Sequence, residues 1–275
     1  MTLSIITITY NNLEGLKRTA ESILSQTYKD FEWLVIDGGS KDGTKEYIES
    51  LERQPDYWCS EPDSGVYDAM NKGIAKATGE YLLFMNAGDS FYKETILKDV
   101  YKNFPQADIV YGDAMFHYAH RTREMKHPDQ LTLDYFCRCS LCHQATFIRA
   151  SLLQKCGGYS TDYRIVSDWR QWIVWLKDGR SFVHLPLIVC NYMMDGLSSI
   201  NVRLSVEERE KVFKEILPSW QVGLYIDMCE YGGYYELIHL PRKRKKYLKT
   251  IRLLITLASI LLLSEIITLL LLILE

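Results

Sequence analysis

Asp37-Gly38-Gly39-Ser40-Lys41-Asp42-Gly43 is the stretch on which the fold turns. It follows the apolar run Phe31 to Ile36, so it reads as the exit from a buried strand. Two further stretches repeat the theme, Glu61-Pro62-Asp63-Ser64-Gly65-Val66-Tyr67-Asp68 and Phe84-Met85-Asn86-Ala87-Gly88-Asp89. Each sets acidic side chains in a polar, glycine-containing segment at an apparent strand end. An open α/β sheet presents groups to a polar ligand in this way. The expectation is an enzyme that holds a nucleotide and a metal.

Working outward, Leu3 to Thr9 is an Ile/Thr-rich strand, and Leu13, Leu16, Ala20, Ile23 and Leu24 recur at helical spacing. A helix follows Gly43 to about Leu51, and residues 57–59 form a short strand. Val66 to Ala77 is a helix, Tyr81 to Met85 a core strand, and Ile96 to Phe104 a helix. Ile109 to Tyr111 is a strand ending in Gly112-Asp113. This alternation predicts a mostly parallel sheet with right-handed crossovers and helices on both faces. Ala114 to Leu141 is irregular, a loop or β-excursion over one end of the sheet. Ala145 to Gln154 and Trp169 to Lys177 read as helices, Ser181 to Val183 and Leu187 to Cys190 as short strands. Arg203 to Leu217 is an amphipathic helix closed by Pro218.

The 275 residues, 47% of them hydrophobic, suffice for one substantial core with a small appendage. The net charge of −3 hides the basic block Arg242-Lys243-Arg244-Lys245-Lys246, followed by Lys249 and Arg252. Next to the Leu-rich run Leu253 to Leu274, such a block suits an anionic membrane surface rather than nucleic acid. Glu265 interrupts the run at a cost of roughly 2.5–3.5 kcal/mol, which many Leu and Ile residues offset. A tail that spans or dips into the bilayer, an interfacial or partner-bound helix, and a buried core helix all fit. The N-terminus enters a strand directly, without a signal peptide, and the seven cysteines show no framework. Reduced thiols in the cytosol are expected. Cys137, Cys139 and Cys142 with His143 have the residue types of a zinc site, but no second spaced pair accompanies them, so core or loop thiols are preferred.

In order, these pieces resemble a family-2 glycosyltransferase of the GT-A fold, an α/β Rossmann-like architecture, over roughly residues 2–200. The resemblance lies in Ser4-Ile5-Ile6-Thr7, Tyr10-Asn11, Ile36-Asp37-Gly38-Gly39-Ser40-Lys41-Asp42-Gly43-Thr44, the run from Glu61 to Gly73, and Leu83-Phe84-Met85-Asn86-Ala87-Gly88-Asp89. It is close to the bacterial enzymes that build capsule, exopolysaccharide and lipopolysaccharide units. It implies inverting transfer from a nucleotide diphosphate sugar, a UDP-sugar by preference, to a hydroxyl of a glycan or polyprenyl-diphosphate-linked acceptor. The place implied is the cytoplasmic side of the inner membrane, with attachment through the tail. Residues 1–200 would be the catalytic domain, 201–240 a helical extension, and 241–275 the basic stretch and membrane-associating helix. A noncatalytic sugar-nucleotide-binding or scaffold protein of the same fold is the alternative.

By the same resemblance, Asp37 meets the base, Thr9 and Asn11 line the nucleotide pocket, and Asp63 contacts the base or ribose side. Asn86, Ala87 and Gly88 lie at the donor. Asp89 is the last aspartate of the metal-binding acidic motif, holding Mg²⁺ or Mn²⁺ with the diphosphate, and Asn86 stands where the usual first aspartate would be. His143 and Gln144 resemble a pocket-lining pair, and Asn71 and Asp68 either line the pocket or brace their helix. Gly196-Leu197-Ser198-Ser199 resembles a loop that closes over the donor.

The chemistry of such a transfer asks for a cation at the leaving diphosphate and one general base at the acceptor hydroxyl. Asp168, before Trp169 at an apparent helix start, is the candidate base, and a simple N-cap is the competing reading. Asp113 after its strand, Arg121 and Arg123 toward an acceptor phosphate, and His184 near the diphosphate are weaker candidates. Trp169, Trp172 and Trp175 have the spacing of a core-facing helix. A dinucleotide-dependent oxidoreductase would carry Gly-x-Gly-x-x-Gly where this chain has Thr9-Tyr10-Asn11-Asn12-Leu13-Glu14-Gly15. A nucleotidyltransferase would want a Gly-rich basic loop there, and a processive synthase several membrane spans.

Overall fold

A computed structural model describes residues 1–194, 196, 200–219, 221–223 and 226. Its centre is a nine-stranded sheet. In chain order the strands are β1 (Leu3–Thr9), β2 (Glu32–Asp37), β3 (Tyr57–Ser60), β4 (Tyr81–Phe84), β5 (Ser90–Phe91), β6 (Ile109–Tyr118), β7 (Arg121–Met125), β8 (Thr146–Arg149) and β9 (Phe182–Met193). The spatial order is β3-β2-β1-β4-β8-β6-β9-β5, with β7 hairpinned onto β6.

The sheet is mixed, which corrects the mostly parallel expectation. β3, β2, β1 and β4 run parallel, as do β6 and β9. β8 is antiparallel to both β4 and β6, and β5 and β7 pair antiparallel at the periphery. The antiparallel β8 was misread because Ala145 to Gln154 has one continuous apolar pattern. It divides into a 3₁₀ turn at His143–Ala145, the strand β8, and a short helix, Ala150–Lys155. β6 also runs on past Asp113 to Tyr118, and β9 is one 12-residue strand rather than two short ones. A register shift near Asp113 lets these two strands stay paired past the sheet's edge.

Eight α-helices are described: α1 (Leu13–Leu24), α2 (Thr44–Ser50), α3 (Val66–Lys76), α4 (Ile96–Lys102), α5 (Leu133–Arg138), α6 (Ala150–Lys155), α7 (Ser167–Lys177) and α8 (Val202–Ile216). They cover both sheet faces, and the strand sequences show why. Leu3 and Ile5 of β1, with Trp33 and Val35 of β2, pack against Leu16, Ala20 and Ile23 of α1 and the apolar residues of α2 and α4. Ile6 and Ile8, with Leu34 and Ile36, face the other way onto α3, α7 and α8. Alternate residues feed two separate cores, so a central parallel strand is apolar throughout. Trp169, Trp172 and Trp175 are all at most 3% exposed, members of the second core.

The first compact unit runs from Met1 to Cys229 and so includes α8, which the expected boundary at residue 200 would have cut off. α8 is fastened where the site needs it. Buried Glu208 accepts hydrogen bonds from the backbone N–H groups of Arg164 (2.7 Å), Ile165 (2.9 Å) and Val166 (3.2 Å), the residues just before α7. Phe213 stacks edge-on against Trp169. The second unit, Glu230–Glu275, contains the basic block and the apolar tail and lies outside the described residues, as do Leu197, Ser198 and Ser199 of the expected closing loop. Among the described residues no helix is long and apolar enough to cross a membrane.

Candidate active site

The strand directions gather the site. β1, β2, β3 and β4 all end at one edge of the sheet, where their following loops carry Asn11, the Asp37–Gly43 stretch, Asp63 and the Asn86–Asp89 turn. β8 starts at that same edge because it is antiparallel to β4, so the His143–Ala145 turn before it arrives there too. The order reverses around β1, which opens a crevice beyond its carboxyl end.

At the nucleotide end, Asp37 closes β2. It is wholly buried, and its carboxylate accepts from the Ser40 N–H and hydroxyl and from the Ser60 hydroxyl (2.6 Å). Those hydrogen bonds shape the loop that follows. Asp42 does the same at the other end of the stretch, accepting from Leu13 N–H at 2.9 Å and from the Thr44 hydroxyl at 2.7 Å. Those hydrogen bonds, the Thr44 hydroxyl first, hold its pKa below the usual carboxylate value. Asn11 is the one non-glycine among the described residues with positive φ (46°), and its side-chain oxygen accepts from Lys41 N–H at 2.9 Å. It latches the loop onto the end of β1. Thr9 is buried, and its hydroxyl has no hydrogen-bond partner among the described residues.

Gly38 is required by close approach. A Cβ there would fall 2.5 Å from Asp63 Oδ2 and 3.1 Å from the Tyr10 ring. Tyr10, Gly38 and Asp63 therefore converge, with the Tyr10 ring 64% exposed above the loop. Sequence reading passed over Tyr10, although an aromatic between strand and helix with no apolar periodicity was the available signal.

The Asn86–Asp89 turn rests on the start of α1. Thr19 donates to the Asp89 carbonyl at 2.6 Å and accepts from Gly88 N–H at 3.0 Å. Asn12 Nδ2 donates to the Ala87 carbonyl at 3.1 Å while its Oδ1 caps α1 at Gly15 N–H, also 3.1 Å. Gly88 takes φ 111°, which carries the chain round so that Asp89 points inward. Asp89 is 6% exposed. Its Oδ2 accepts from Gln144 Nε2 at 2.7 Å and its Oδ1 from Met193 N–H at 2.9 Å. Asn86 Oδ1 is buried and, among the described residues, has no donor.

These groups decide how a divalent ion fits. No cluster of three or more His, Cys, Asp or Glu side chains able to hold one exists among the described residues. The orphaned Asn86 amide oxygen and the Asp89 carboxylate, in one turn, are oxygen donors of the kind a divalent ion takes together with diphosphate oxygens.

At the other end, Asp168 lies in the first turn of α7 and is not its N-cap, which is Val166. Its side chain, 19% exposed, turns instead to Tyr67 of α3, whose hydroxyl is 2.7 Å from Oδ1. His143 Nδ1 stands 3.8 Å from Oδ2, and His143 Nε2 lies 3.0 Å from the Tyr159 hydroxyl. Burial pushes the His143 pKa down against the opposing pull of Asp168, which favours the neutral ring. His143, expected with Gln144 to line the pocket, sits beside Asp168, packed on Phe84 and Trp172. Asn71 braces the same region: its amide donates to the Tyr159 carbonyl and accepts from Tyr159 N–H, both at 2.8 Å.

The remaining candidates form a separate network. His184 bridges Asp113 (3.0 Å) and Asp129 (2.8 Å) and stacks on Tyr111. Asp113 also accepts from His127 N–H at 2.9 Å. Arg121 lies over Tyr118 on the exposed β6–β7 hairpin, which also carries Arg123. Cys137 and Cys142 are buried and Cys139 half-buried, with Cys142 Sγ 3.7 Å from Cys190 Sγ.

Comparison with known proteins agrees with this architecture. An uncharacterized glycosyltransferase of Mycobacterium tuberculosis (strain ATCC 25618 / H37Rv) is 34% identical over 205 residues, 72% of this chain and 77% of that protein. A PGL/p-HBAD biosynthesis glycosyltransferase of Mycobacterium bovis (strain BCG / Pasteur 1173P2) is 35% identical over 207 residues, 72% of this chain and 76% of its own. Among solved structures, S. aureus TarS 1-349 in complex with UDP-GlcNAc superposes with a TM-score of 0.67 at 16% identity, over 89% of this chain and 78% of that 1-349 chain. The mannosyltransferase PcManGT from Pyrobaculum calidifontis, in complex with GDP-Man and Mn²⁺, gives 0.61 at 16% identity, over 91% and 79%. The fold is thus GT-A-like, and residues 4–156 match the family described as Glycosyl transferase family 2. With a family match over more than half its length and relatives above 30% identity across 72% of it, the chain belongs to glycosyl transferase family 2.

Proposed function

We propose that this glycosyltransferase moves a sugar from a UDP-sugar, with inversion, to a hydroxyl of a glycan or polyprenyl-diphosphate-linked acceptor in the assembly of cell-surface glycans. The observation that carries the reading is the two-sided use of one turn: Gln144 touches Asp89 and His143 adjoins Asp168. A carboxylate for the leaving group and a carboxylate for the acceptor are thereby held by adjacent residues. The relatives' part in PGL/p-HBAD biosynthesis supports the product class, and the UDP and UDP-GlcNAc complexes of TarS support a UDP donor.

In this reading the exposed Tyr10 ring is the platform for the base, with Asp63 at the base or ribose. Thr9 contributes its unpartnered hydroxyl, and Asp37 and Asn11 hold the loop that shapes the pocket. Asn86, Ala87 and Gly88 lie along the diphosphate. Asn86 and Asp89 would hold Mg²⁺ or Mn²⁺, and the Mn²⁺ of the related mannosyltransferase complex supports that choice. When bound, such an ion neutralises charge developing on the diphosphate. Asp168 accepts the acceptor's proton as its oxygen attacks the anomeric carbon opposite the departing nucleotide, which inverts that centre. Phe84 and Trp172, packed on the His143 ring beside Asp168, keep bulk water from that side of the carboxylate. The basic block and apolar tail serve attachment to the anionic cytoplasmic face of the inner membrane.

A panel of nucleotide sugars with lipid-linked acceptors, read by released nucleotide and by the anomeric configuration of the product, tests this function. Turnover of a UDP-sugar to an inverted product is expected. Binding of UDP-sugars without turnover on any acceptor would favour a noncatalytic binder.

A further inference from the structure

Tyr67 reaches Asp168 from a helix that the chemistry above does not otherwise use. Its hydroxyl lies 2.7 Å from Asp168 Oδ1 and 2.6 Å from the Ile165 carbonyl oxygen. A phenol has one hydrogen to donate and can also accept. Facing an ionised Asp168, that one hydrogen serves two acceptors. When Asp168 carries a proton on Oδ1, the carboxyl donates to Tyr67, and Tyr67 donates to the Ile165 carbonyl. When the proton sits on Oδ2, Oδ1 still accepts from Tyr67. Each protonation state of Asp168 therefore keeps a partner with no heavy atom moving.

Tyr67 is itself held rigidly. It is 5% exposed, and its ring lies 5.5 Å from that of Tyr159. Burial, then the Asp168 charge, push its pKa well above the ordinary phenol value, so it stays a hydroxyl. One helical turn on, Asn71 clamps the Tyr159 backbone from both sides. The fit there is tight, since a Cβ at Gly158 would fall 2.3 Å from Asn71 Oδ1. One face of α3 thus grips the segment leading into α7 at two points, and Glu208 anchors the same segment from α8.

We propose that Tyr67 is a positioning residue for Asp168: it fixes Oδ1, leaving Oδ2 for the acceptor hydroxyl, and keeps the carboxyl hydrogen-bonded once the proton has moved. The proposal rests on the reading of Asp168 as the general base. In the step it serves, the acceptor O–H bond breaks and an Asp168 O–H bond forms. The acceptor oxygen bonds the anomeric carbon, and the nucleoside diphosphate leaves with the electron pair of the old bond.

Tyr67→Phe keeps the ring and removes only the hydroxyl. Steady-state kinetics on the full chain, in wild-type and Asp168→Asn backgrounds, with a thermal melt of each variant, form the test. Tyr67→Phe is expected to lower kcat by about 10- to 100-fold, the range of one hydrogen bond to a charged group, with donor KM within about twofold. In the Asp168→Asn background the same change is expected to leave the residual rate unaltered, since residues acting as one unit are not additive. Full kcat in Tyr67→Phe overturns the proposal. So does an equal further loss in the Asp168→Asn background, or a fall in kcat shared with raised donor KM and a lowered melting temperature. A fully active Asp168→Asn would instead overturn the base assignment itself, whereas an impaired Asp168→Asn beside a normal Tyr67→Phe overturns only the role of Tyr67.

Discussion

Gln144 donates to Asp89 across 2.7 Å, so the carboxylate that ends the Asn86–Asp89 turn is oriented from a loop 55 positions away in the chain. The preceding residue, His143, adjoins Asp168. A single 3₁₀ turn between β6's partner strand β8 and the end of α5 therefore connects both ends of the proposed reaction centre. Motion of that turn would be felt at donor and acceptor together.

Gln144→Ala frees Asp89 Oδ2 and is expected to act on the donor side. Donor KM and the metal concentration for half-maximal rate should rise by about tenfold, the equivalent of roughly one lost hydrogen bond to a charged group. Titrations of UDP-sugar and Mn²⁺ against released nucleotide measure both. Unchanged donor and metal dependence in a folded Gln144→Ala would show that the contact does not orient Asp89.

The helix α8 should prove indispensable. Glu208→Ala leaves two buried N–H groups, of Ile165 and Val166, and the partly buried one of Arg164 without their acceptor. The expected loss is about 3 kcal/mol or more of unfolding free energy by denaturant titration. A chain ended at residue 200 should fail to fold. Native-like stability of that shortened chain would contradict the account of α8 as part of the catalytic unit.

Stability should fall with acid in a window set by His127. Burial lowers its pKa from 6.5 to about 4, and Cys142 N–H donates to its Nε2. Between those values the unfolded chain binds the proton and the folded chain does not, so stability rises with pH. The contribution is complete above about pH 6.5 and is lost as pH falls toward 4. From pH 7 to pH 5 this one group should remove about 2 kcal/mol. His127→Gln should flatten the profile in that interval, and an unchanged slope would remove His127 as its source.

How far the sequence disclosed all this follows from the range of the interactions. Strand exits rich in Asp and Gly are local patterns, so the Asp37–Gly43 and Asn86–Asp89 loops were placed at the sheet's edge from sequence alone. The partner of each carboxylate is a long-range matter. Nothing local reveals that Ser60 stands beside Asp37, and whether Asn71 lines a pocket or braces its helix stays open in the sequence because its partner Tyr159 is 88 positions away. The competing reading of Asp168 as an N-cap falls only when Tyr67, 101 positions distant, is seen to hold its side chain. The antiparallel β8 escaped because a four-residue strand, Thr146–Arg149, running straight into a helix is too short to show a period of its own.

The measurement that bears most directly on the central claim is the turnover of Asp168→Asn. The substitution keeps the size and the Tyr67 contact of the side chain while removing its capacity to take a proton. Nucleotide release with the best donor and acceptor should fall by at least about 100-fold, with donor KM and melting temperature near those of the parent. A folded Asp168→Asn that turns over at the parent rate would contradict the account.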